Sequence, residues 1–442
     1  MTGLVMFVVA LFMLIIGFPV AFTFGAVAII FGAIAAYFEL AQDGAVLFAD
    51  WFDEFFSMFS MMPFRIYSIM GNKILIAIPL FIFMGIVLER SGIAGRLLES
   101  MGTLFGKIRG GLAVSTIIIG TMLAASTGVV GASVVAMGVI ALPVMLKHGY
   151  NKGIATGTIC ASGTLGQIIP PSIVLIILAD VFSQPVGDLF KAAVIPSVIL
   201  VGAYIVYILI VANLKKDIAP AMKNIKIDFR NIITSLIPPL TLIILVLGSI
   251  FAGIATATES ASVGAIGSLI LAFFYKKLNL KLIEEASIEA VKTTSMVFAI
   301  LIGATAFSMV FTYSGADMIV EDFLTTLPHA KMLFIFLVMA IIFFLGFFID
   351  FIEISYIVIP ILLPVADSLG INPIWFAILI AMNLQSSFLT PPFGFSLFYL
   401  RGVAPKEVTT VDIYKGVIPF ILIQVTILGL MVFFPHLFGF QN

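Results

Sequence analysis

The sequence predicts an all-α polytopic membrane protein built from two inverted-topology repeats. Three observations carry that prediction: apolar runs along the whole chain, a lopsided distribution of basic residues, and a Pro-Pro pair inside one apolar run of each half. Of the 442 residues, 62% are hydrophobic and 10% charged, against about 25% charged in soluble domains. Runs long enough to cross hydrocarbon, roughly 20 residues each, recur throughout and leave no stretch for a separate soluble domain. The opening GLVMFVVALFMLIIGFPVAF lacks a basic leader and an Ala-x-Ala cleavage site, so it reads as a retained span. The net charge of -1 speaks against a nucleic-acid partner, and the single cysteine, Cys160, excludes an intramolecular disulfide.

Cytoplasmic connections of membrane proteins are rich in Lys and Arg. Of the 22 basic residues, all but Arg65, Lys73, Lys191 and Lys331 fall in one set of connections. Those four share theirs with acidic residues such as Asp50, Asp53, Asp180, Asp188 and Asp322. The first set is assigned to the cytoplasm, which places both termini outside. It also places Arg109 and Lys147 on one side of the apolar segment between them, whose middle reads AASTGVVGAS. Two plain spans would satisfy this. A re-entrant helical hairpin over about 111–147 fits better, because irregular backbone at membrane depth persists only where protein or water covers it. The pattern recurs from the opposite side over about 332–368, with Asp350 and Glu353 at its centre.

The halves share one order of elements: two spans, an amphipathic connector, a span, a hairpin, a broken span and a closing span. Residues 1–214 form the first repeat, with opening spans near 3–17 and 18–38, a connector at about 50–72 and a third span at about 74–90. A cytoplasmic linker covers 215–231. Residues 232–442 form the second repeat, with opening spans near 233–253 and 258–275, a connector at about 279–292 and a third span at about 294–313. Broken spans lie at about 153–181 and 373–401, interrupted at Pro170-Pro171 and Pro391-Pro392. Proline lacks the amide donor and clashes with the preceding turn, so each pair ends one half-helix and starts another.

Folds of this kind place a solute site near the midplane, between discontinuous helices. Unwound carbonyls, with the hydroxyls of Ser162, Thr164, Ser387 and Thr390, could replace the water around a hard cation such as sodium. A new helix N-terminus led by Ser172 offers a partial positive end to a carboxylate. No basic residue falls in the centre of any assigned span, so an anion would rely on such dipoles.

With these motifs on the page, the chain resembles the large membrane subunit of the tripartite ATP-independent periplasmic (TRAP) transporters over its whole length. The resemblance rests on GTLGQIIPPS at 163–172, ATATESASVGA at 255–265, GFFIDFIE at 346–353 and QSSFLTPPFGFSLFYLRG at 385–402. It implies residence in a bacterial inner membrane, where the termini that the charges place outside are periplasmic, and an elevator mechanism in which hairpins and broken spans slide against a scaffold. It implies sodium as coupling ion, with no organic cofactor. A separate small four-span membrane subunit and a periplasmic binding protein delivering an organic acid are the implied partners.

On that basis Ser126, Thr127 and Gly128 at the first hairpin tip are expected to hold sodium with Gly163 and Gly166. Small residues there could instead simply let helices pack closely. Asp350 is expected to hold a second ion with Ser387, Thr390 and Gly394, since a carboxylate in mid-membrane is costly; its alternative is to cap the half-helices of the second tip. Glu353 is open between that tip and a polar interface. Ser162, Thr164, Gln167, Pro170, Ser172 and Gln385 are the candidate substrate contacts, although both glutamines could instead satisfy broken backbone. Glu259 reads as structural. Trp51 and its aromatic neighbours suit a helix lying in the membrane interface or a contact with the small subunit. No His-Glu-x-x-His pattern, paired aspartates or serine beside a base supports an enzyme. A stand-alone sodium/divalent-anion symporter is the alternative transporter, and a passive channel a weaker one.

Overall fold

The computed structural model describes residues 1–44, 46–127, 130–222, 229–326 and 328–440, which form helices and connections with no strand among the described residues. The first half opens with α1 (Thr2–Ile16) and α2 (Val20–Asp43), followed by the connector helices α3 (Phe48–Phe59) and α4 (Met62–Met70) and by α5 (Ala77–Arg90) and α6 (Ile93–Phe105). The arms of the first hairpin are α7 (Gly111–Thr127) and α8 (Val130–Lys147); α9 (Lys152–Thr164) and α10 (Ile173–Val181) are the halves of the broken span, and α11 (Val186–Leu214) closes the half. The second half runs α12 (Phe229–Phe251), α13 (Ala257–Phe274), α14 (Leu280–Tyr313), α15 (Ala316–Thr325) and α16 (Ala330–Leu345). Its hairpin returns through α17 (Phe351–Glu353), a π-helical turn over Ile354–Val358 and α18 (Ile359–Ser368), before α19 (Pro373–Leu389), α20 (Phe395–Val403) and α21 (Thr410–Phe433). Among the described residues, eight helical stretches are long and apolar enough to cross a bilayer. The 17-residue α7 reaches only about 25 Å, short of the roughly 30 Å hydrocarbon core.

Two features depart from the expected order. The second connector and third span are one continuous 34-residue helix, α14. No Gly or Pro occurs in it before Gly303, whereas Gly71 ends α4 and separates it from α5. In addition, a short helix follows the third span of each half, α6 and α15, each entered through a Ser-Gly pair. Gly92 and Gly315 take left-handed φ values of 73° and 66° at the N-caps. The preceding serines return their hydroxyls to the helix just ended, Ser91 to the Leu88 carbonyl at 2.7 Å and Ser314 to that of Phe311 at 2.8 Å.

The backbone carries the duplication further than the residues do. Four left-handed positions pair between the halves, Gly17 with Gly253, Gly92 with Gly315, Gly110 with His329 and Gly149 with Gly370, whereas Ser183 and Gly439 have no counterpart. Packing is exchanged reciprocally. The opening helices of the first half meet the third span of the second: Phe24 packs edge-on against Phe307 with ring centroids 4.9 Å apart, and a Cβ on Gly303 would lie 2.5 Å from the Ala21 carbonyl oxygen. The opening helices of the second half likewise meet the third span of the first, where a Cβ on Gly264 would lie 2.6 Å from the Met84 sulfur.

Two compact units result, one from Met1–Lys73 with Lys292–Pro373, the other from Ile74–Val291 with Ile374–Asn442. Each draws on both halves. The first unit holds the second hairpin; the second unit holds the first hairpin and both broken spans. Within the second unit, α9 is buried from Ile154 to Thr164 and α19 from Trp375 to Leu389.

Helices α9 and α21 cross backbone against backbone, with the Thr156 hydroxyl and the Phe420 ring beside the contact. A Cβ on Gly157 would sit 2.1 Å from the Gly416 carbonyl oxygen, and one on Gly416 would sit 2.2 Å from that of Gly153. Glycines four residues apart on one helix permit such an approach. Gly416→Val should therefore overpack the crossing and destabilise the protein by about 1–3 kcal/mol or more. A clear fall in the detergent-solubilised melting temperature would be expected, and an unchanged one would show that the crossing relaxes freely.

Candidate functional site

Both interruptions fall at their Pro-Pro pairs, and both Pro-Pro peptide bonds are cis. In the first half, α9 tightens into a 3-10 turn over Leu165–Gln167, the chain continues through Pro170 and Pro171, and Ser172 caps α10. In the second half, α19 ends at Leu389, the chain passes Pro391 and Pro392, and Gly394 precedes α20. A Cβ at Gly394 would lie 2.6 Å from the Phe388 carbonyl oxygen and 3.0 Å from backbone atoms of Thr390, so only glycine fits that return.

Each break frees backbone groups, and hydroxyls recover several of them. Ser172 Oγ donates to the Gln167 carbonyl at 2.7 Å and accepts from the Leu175 amide at 3.4 Å. Ser197 Oγ on α11 shares its one proton between the Ile168 carbonyl at 3.1 Å and the Ala193 carbonyl of its own helix at 2.6 Å. In the second break, Ser396 Oγ donates to the Phe388 carbonyl at 2.8 Å and Tyr414 Oη to that of Pro392 at 2.9 Å. The expectation of wholly open carbonyls is thus too simple for these four. A carbonyl has two lone pairs, however, and one hydrogen bond leaves the other available.

The hydroxyls singled out in the sequence are buried or nearly so, and each gives its proton to its own helix. Ser162 donates to Ile159, Thr164 to Ala161, Ser387 to Leu384 and Thr390 to Ser386, at 2.7–3.1 Å. With the proton placed there, the remaining lone pairs form an acceptor surface, the donor chemistry a hard cation prefers. Among the described residues no group of three or more His, Cys, Asp or Glu could hold a metal ion, so any cation here would rest on neutral oxygens and single carboxylates.

The first hairpin lies against the first break. A Cβ on Gly163 would be 2.3 Å from Cγ2 of Val134 on α8, and one on Gly166 would be 2.9 Å from the Ala124 carbonyl oxygen on α7. Gly120 of α7 similarly abuts the Ser162 side chain. Gly163, Gly166 and Ser162 thus meet the hairpin arms just before its tip. Ser126 and Thr127 end α7; their side chains and all of Gly128 lie outside the described residues. The two breaks are joined through Cys160, whose thiol lies 3.7 Å from the Ser396 carbonyl oxygen.

Gln167 and Gln385 are fully buried, and neither the amide nitrogen nor the carbonyl oxygen of either side chain has a hydrogen-bond partner. They do not satisfy the broken backbone, which was their alternative reading. An unpaired buried polar group costs about 1–3 kcal/mol. Thr121 on α7 and Thr158 on α9 also carry buried hydroxyls without a partner.

Asp350 belongs to the first unit, and its expected partners Ser387, Thr390 and Gly394 belong to the second. Within its unit Asp350 is the N-cap of α17, accepting the Phe351 amide at 2.7 Å. Glu353 is 7% exposed, and its Oε2 has no partner. The π-helical turn follows at once and contains Ser355, whose buried hydroxyl is also unpartnered. Pro360, which cannot donate a backbone hydrogen bond, stands just beyond this widened turn. Glu259 closes a capping box with Thr256 at the start of α13, a local structural role.

The sequence reading missed Ser197, Ser396 and Tyr414. Only Ser396 left a trace in the sequence, since a serine follows the Pro-Pro pair in both halves.

Comparison with known proteins places this architecture. The family model described as "Tripartite ATP-independent periplasmic transporter, DctM component" matches residues 7–437. The chain is 31% identical over 376 residues to the C4-dicarboxylate TRAP transporter large permease protein DctM of Pseudomonas aeruginosa, covering 85% of this chain and 87% of that one. It is 29% identical over 370 residues to the sialic acid TRAP transporter permease protein SiaT of Haemophilus influenzae, covering 83% of this chain and 59% of that one. Among solved structures, the Alcanivorax borkumensis YdaH transporter superposes with a TM-score of 0.62 over 88% of this chain and 90% of that one, at 15% identity.

The orphaned glutamines separate a structural role from a functional one. Gln167→Leu and Gln385→Leu remove unpaired polar groups and should leave thermal stability unchanged or raised by about 1 kcal/mol, while solute uptake falls at least tenfold. Loss of stability with uptake retained would show that the amides are held by partners of their own.

Proposed function

Since the chain belongs to the DctM component family of the tripartite ATP-independent periplasmic transporters, we propose that it is the large permease subunit of a sodium-coupled importer of a small organic acid. C4-dicarboxylates, sialic acids and similar carboxylates are the substrate class. The observation that carries this reading is the pair of buried, unpartnered glutamines, Gln167 and Gln385, one beside each break. Each can donate to a carboxylate through its amide nitrogen and accept from a substrate hydroxyl through its oxygen. Ser172 leads the α10 N-terminus, whose dipole favours an anion. Two relatives are named for C4-dicarboxylate and for sialic acid, both carboxylates.

Sodium rests on the acceptor surface of Ser162, Thr164, Ser387 and Thr390, on Gly163 and Gly166 beside the first hairpin, and on Asp350. An N-cap is worth about 1 kcal/mol, whereas an aspartate at membrane depth costs about 2.5–3.5 kcal/mol. Capping alone does not offset the charge, and a bound cation would. Ser126, Thr127 and Gly128 complete the first ion site in this reading, and Gly394 the second. The hairpins and broken spans move against the remaining spans as an elevator. A separate small membrane subunit and a periplasmic binding protein complete the transporter in the inner membrane, with both termini periplasmic.

Uptake of radiolabelled carboxylates into proteoliposomes tests the assembly. Transport should require an inward sodium gradient, the small subunit and the binding protein together. Full-rate uptake by this chain alone would sink the tripartite reading. Asp350→Asn tests the ion. Asparagine caps a helix as well as aspartate does, so the fold should hold while the sodium concentration for half-maximal uptake rises about tenfold. An unchanged sodium dependence would leave Asp350 as a cap only.

A further inference from the structure

The first unit contains a cavity of about 450 Å³ that no part of the transport reading uses. Its walls are apolar throughout and come from six elements: Phe7 on α1, Phe311 on α14, Ile319 and Phe323 on α15, Ile341 on α16, Val358 in the π-helical turn of the second hairpin, and Leu362 on α18. It therefore lies between both arms of that hairpin and the helices that flank it. The size is within the roughly 300–1,000 Å³ of small-molecule sites, but no polar side chain lines it. Water is excluded on those grounds, because a buried water needs two to four polar partners. A hydrophilic acid is excluded for the same reason.

The cavity opens beside α15. Its mouth residues Ile319 and Phe323 are 40% and 61% exposed. Spaced four residues apart, they share one face of α15 with Val320 and Leu324, which also line the cavity. The same short helix bears Asp317, Glu321 and Asp322. The ion pairs among the described residues join Arg90 to Glu285 and Glu289 and Lys281 to Glu285, and none of them involves these three carboxylates. The nearest lysine in sequence, Lys331, donates to the Gly370 carbonyl.

We propose that the cavity is a lipid site: one acyl chain of an aminophospholipid fills it, and the ammonium headgroup rests on the carboxylates of α15. A hydrocarbon chain suits walls without polar atoms, and the ammonium end of a zwitterionic headgroup suits a rim of uncompensated negative charge, with its phosphate turned away from that rim. An anionic headgroup would be repelled. Since the tail touches both arms of the second hairpin and the helices beside it, it forms part of the surface that hairpin packs on.

Photo-crosslinking tests this on the full chain in nanodiscs, with phosphatidylethanolamine carrying a diazirine near the end of one acyl chain. Labelled peptides should concentrate in α1, α15, α16 and α18, with at least fivefold less label there in Ile341→Trp, which fills the cavity. The phosphatidylglycerol probe with the same chain should label these peptides at least threefold less. Glu321→Gln with Asp322→Asn should remove that difference. If Ile341→Trp is not monodisperse, Leu337→Phe replaces it. Label spread evenly over all lipid-facing helices, or undiminished in a folded cavity-filling variant, would overturn the proposal. Equal labelling by the two probes would overturn the headgroup assignment. Loss of label on adding the small subunit would assign the cavity to a protein helix instead.

Discussion

The governing constraint is that hydrocarbon offers no hydrogen bonds. Any backbone group released from a helix inside a membrane must find a partner in the protein, at a cost of several kcal/mol if it does not. This chain breaks a helix twice at depth, so it must supply those partners twice. It does so with hydroxyls placed across each gap, Ser172 and Ser197 at the first, Ser396 and Tyr414 at the second. It also keeps both interrupted helices away from lipid: α9 and α19 are buried along nearly their whole length. The glycines at 120, 163 and 166 follow from the same need, because the hairpin can shield the first break only if its backbone comes within contact of it.

What remains after this accounting is informative. The protons of Ser162, Thr164, Ser387 and Thr390 are absorbed by their own helices, and four carbonyls near the prolines are engaged by hydroxyls. The glutamines beside the two breaks are nonetheless left with nothing to bind, as is Gln424 on α21. What sets Gln167 and Gln385 apart from Gln424 is their place, one next to each interrupted helix, where a ligand that enters and leaves would meet them.

The sequence made the large features legible because their chemistry is local. Proline cannot continue a helix, so Pro170-Pro171 and Pro391-Pro392 located both interruptions without knowledge of any neighbour. The apolar stretch between Arg109 and Lys147 likewise announced a hairpin. Features that depend on two distant segments were not legible. Ser197 and Tyr414 are unremarkable serine and tyrosine residues until the fold brings the Ile168 and Pro392 carbonyls to them. The glycines at 153 and 157 were passed over because their partner, Gly416, lies more than 250 residues away. The helices α6 and α15 were missed for a different reason: a Ser-Gly pair is too short a signal to stand out before the two halves are aligned.

The left-handed turns bear on how the two halves differ. At His329 the second half holds a bulky side chain where its counterpart, Gly110, has none. That residue accepts about 1–2 kcal/mol of backbone strain that glycine would avoid. At that corner the two halves keep one backbone turn with two different residue types, so what they hold in common there is the direction of the chain and not the side chain.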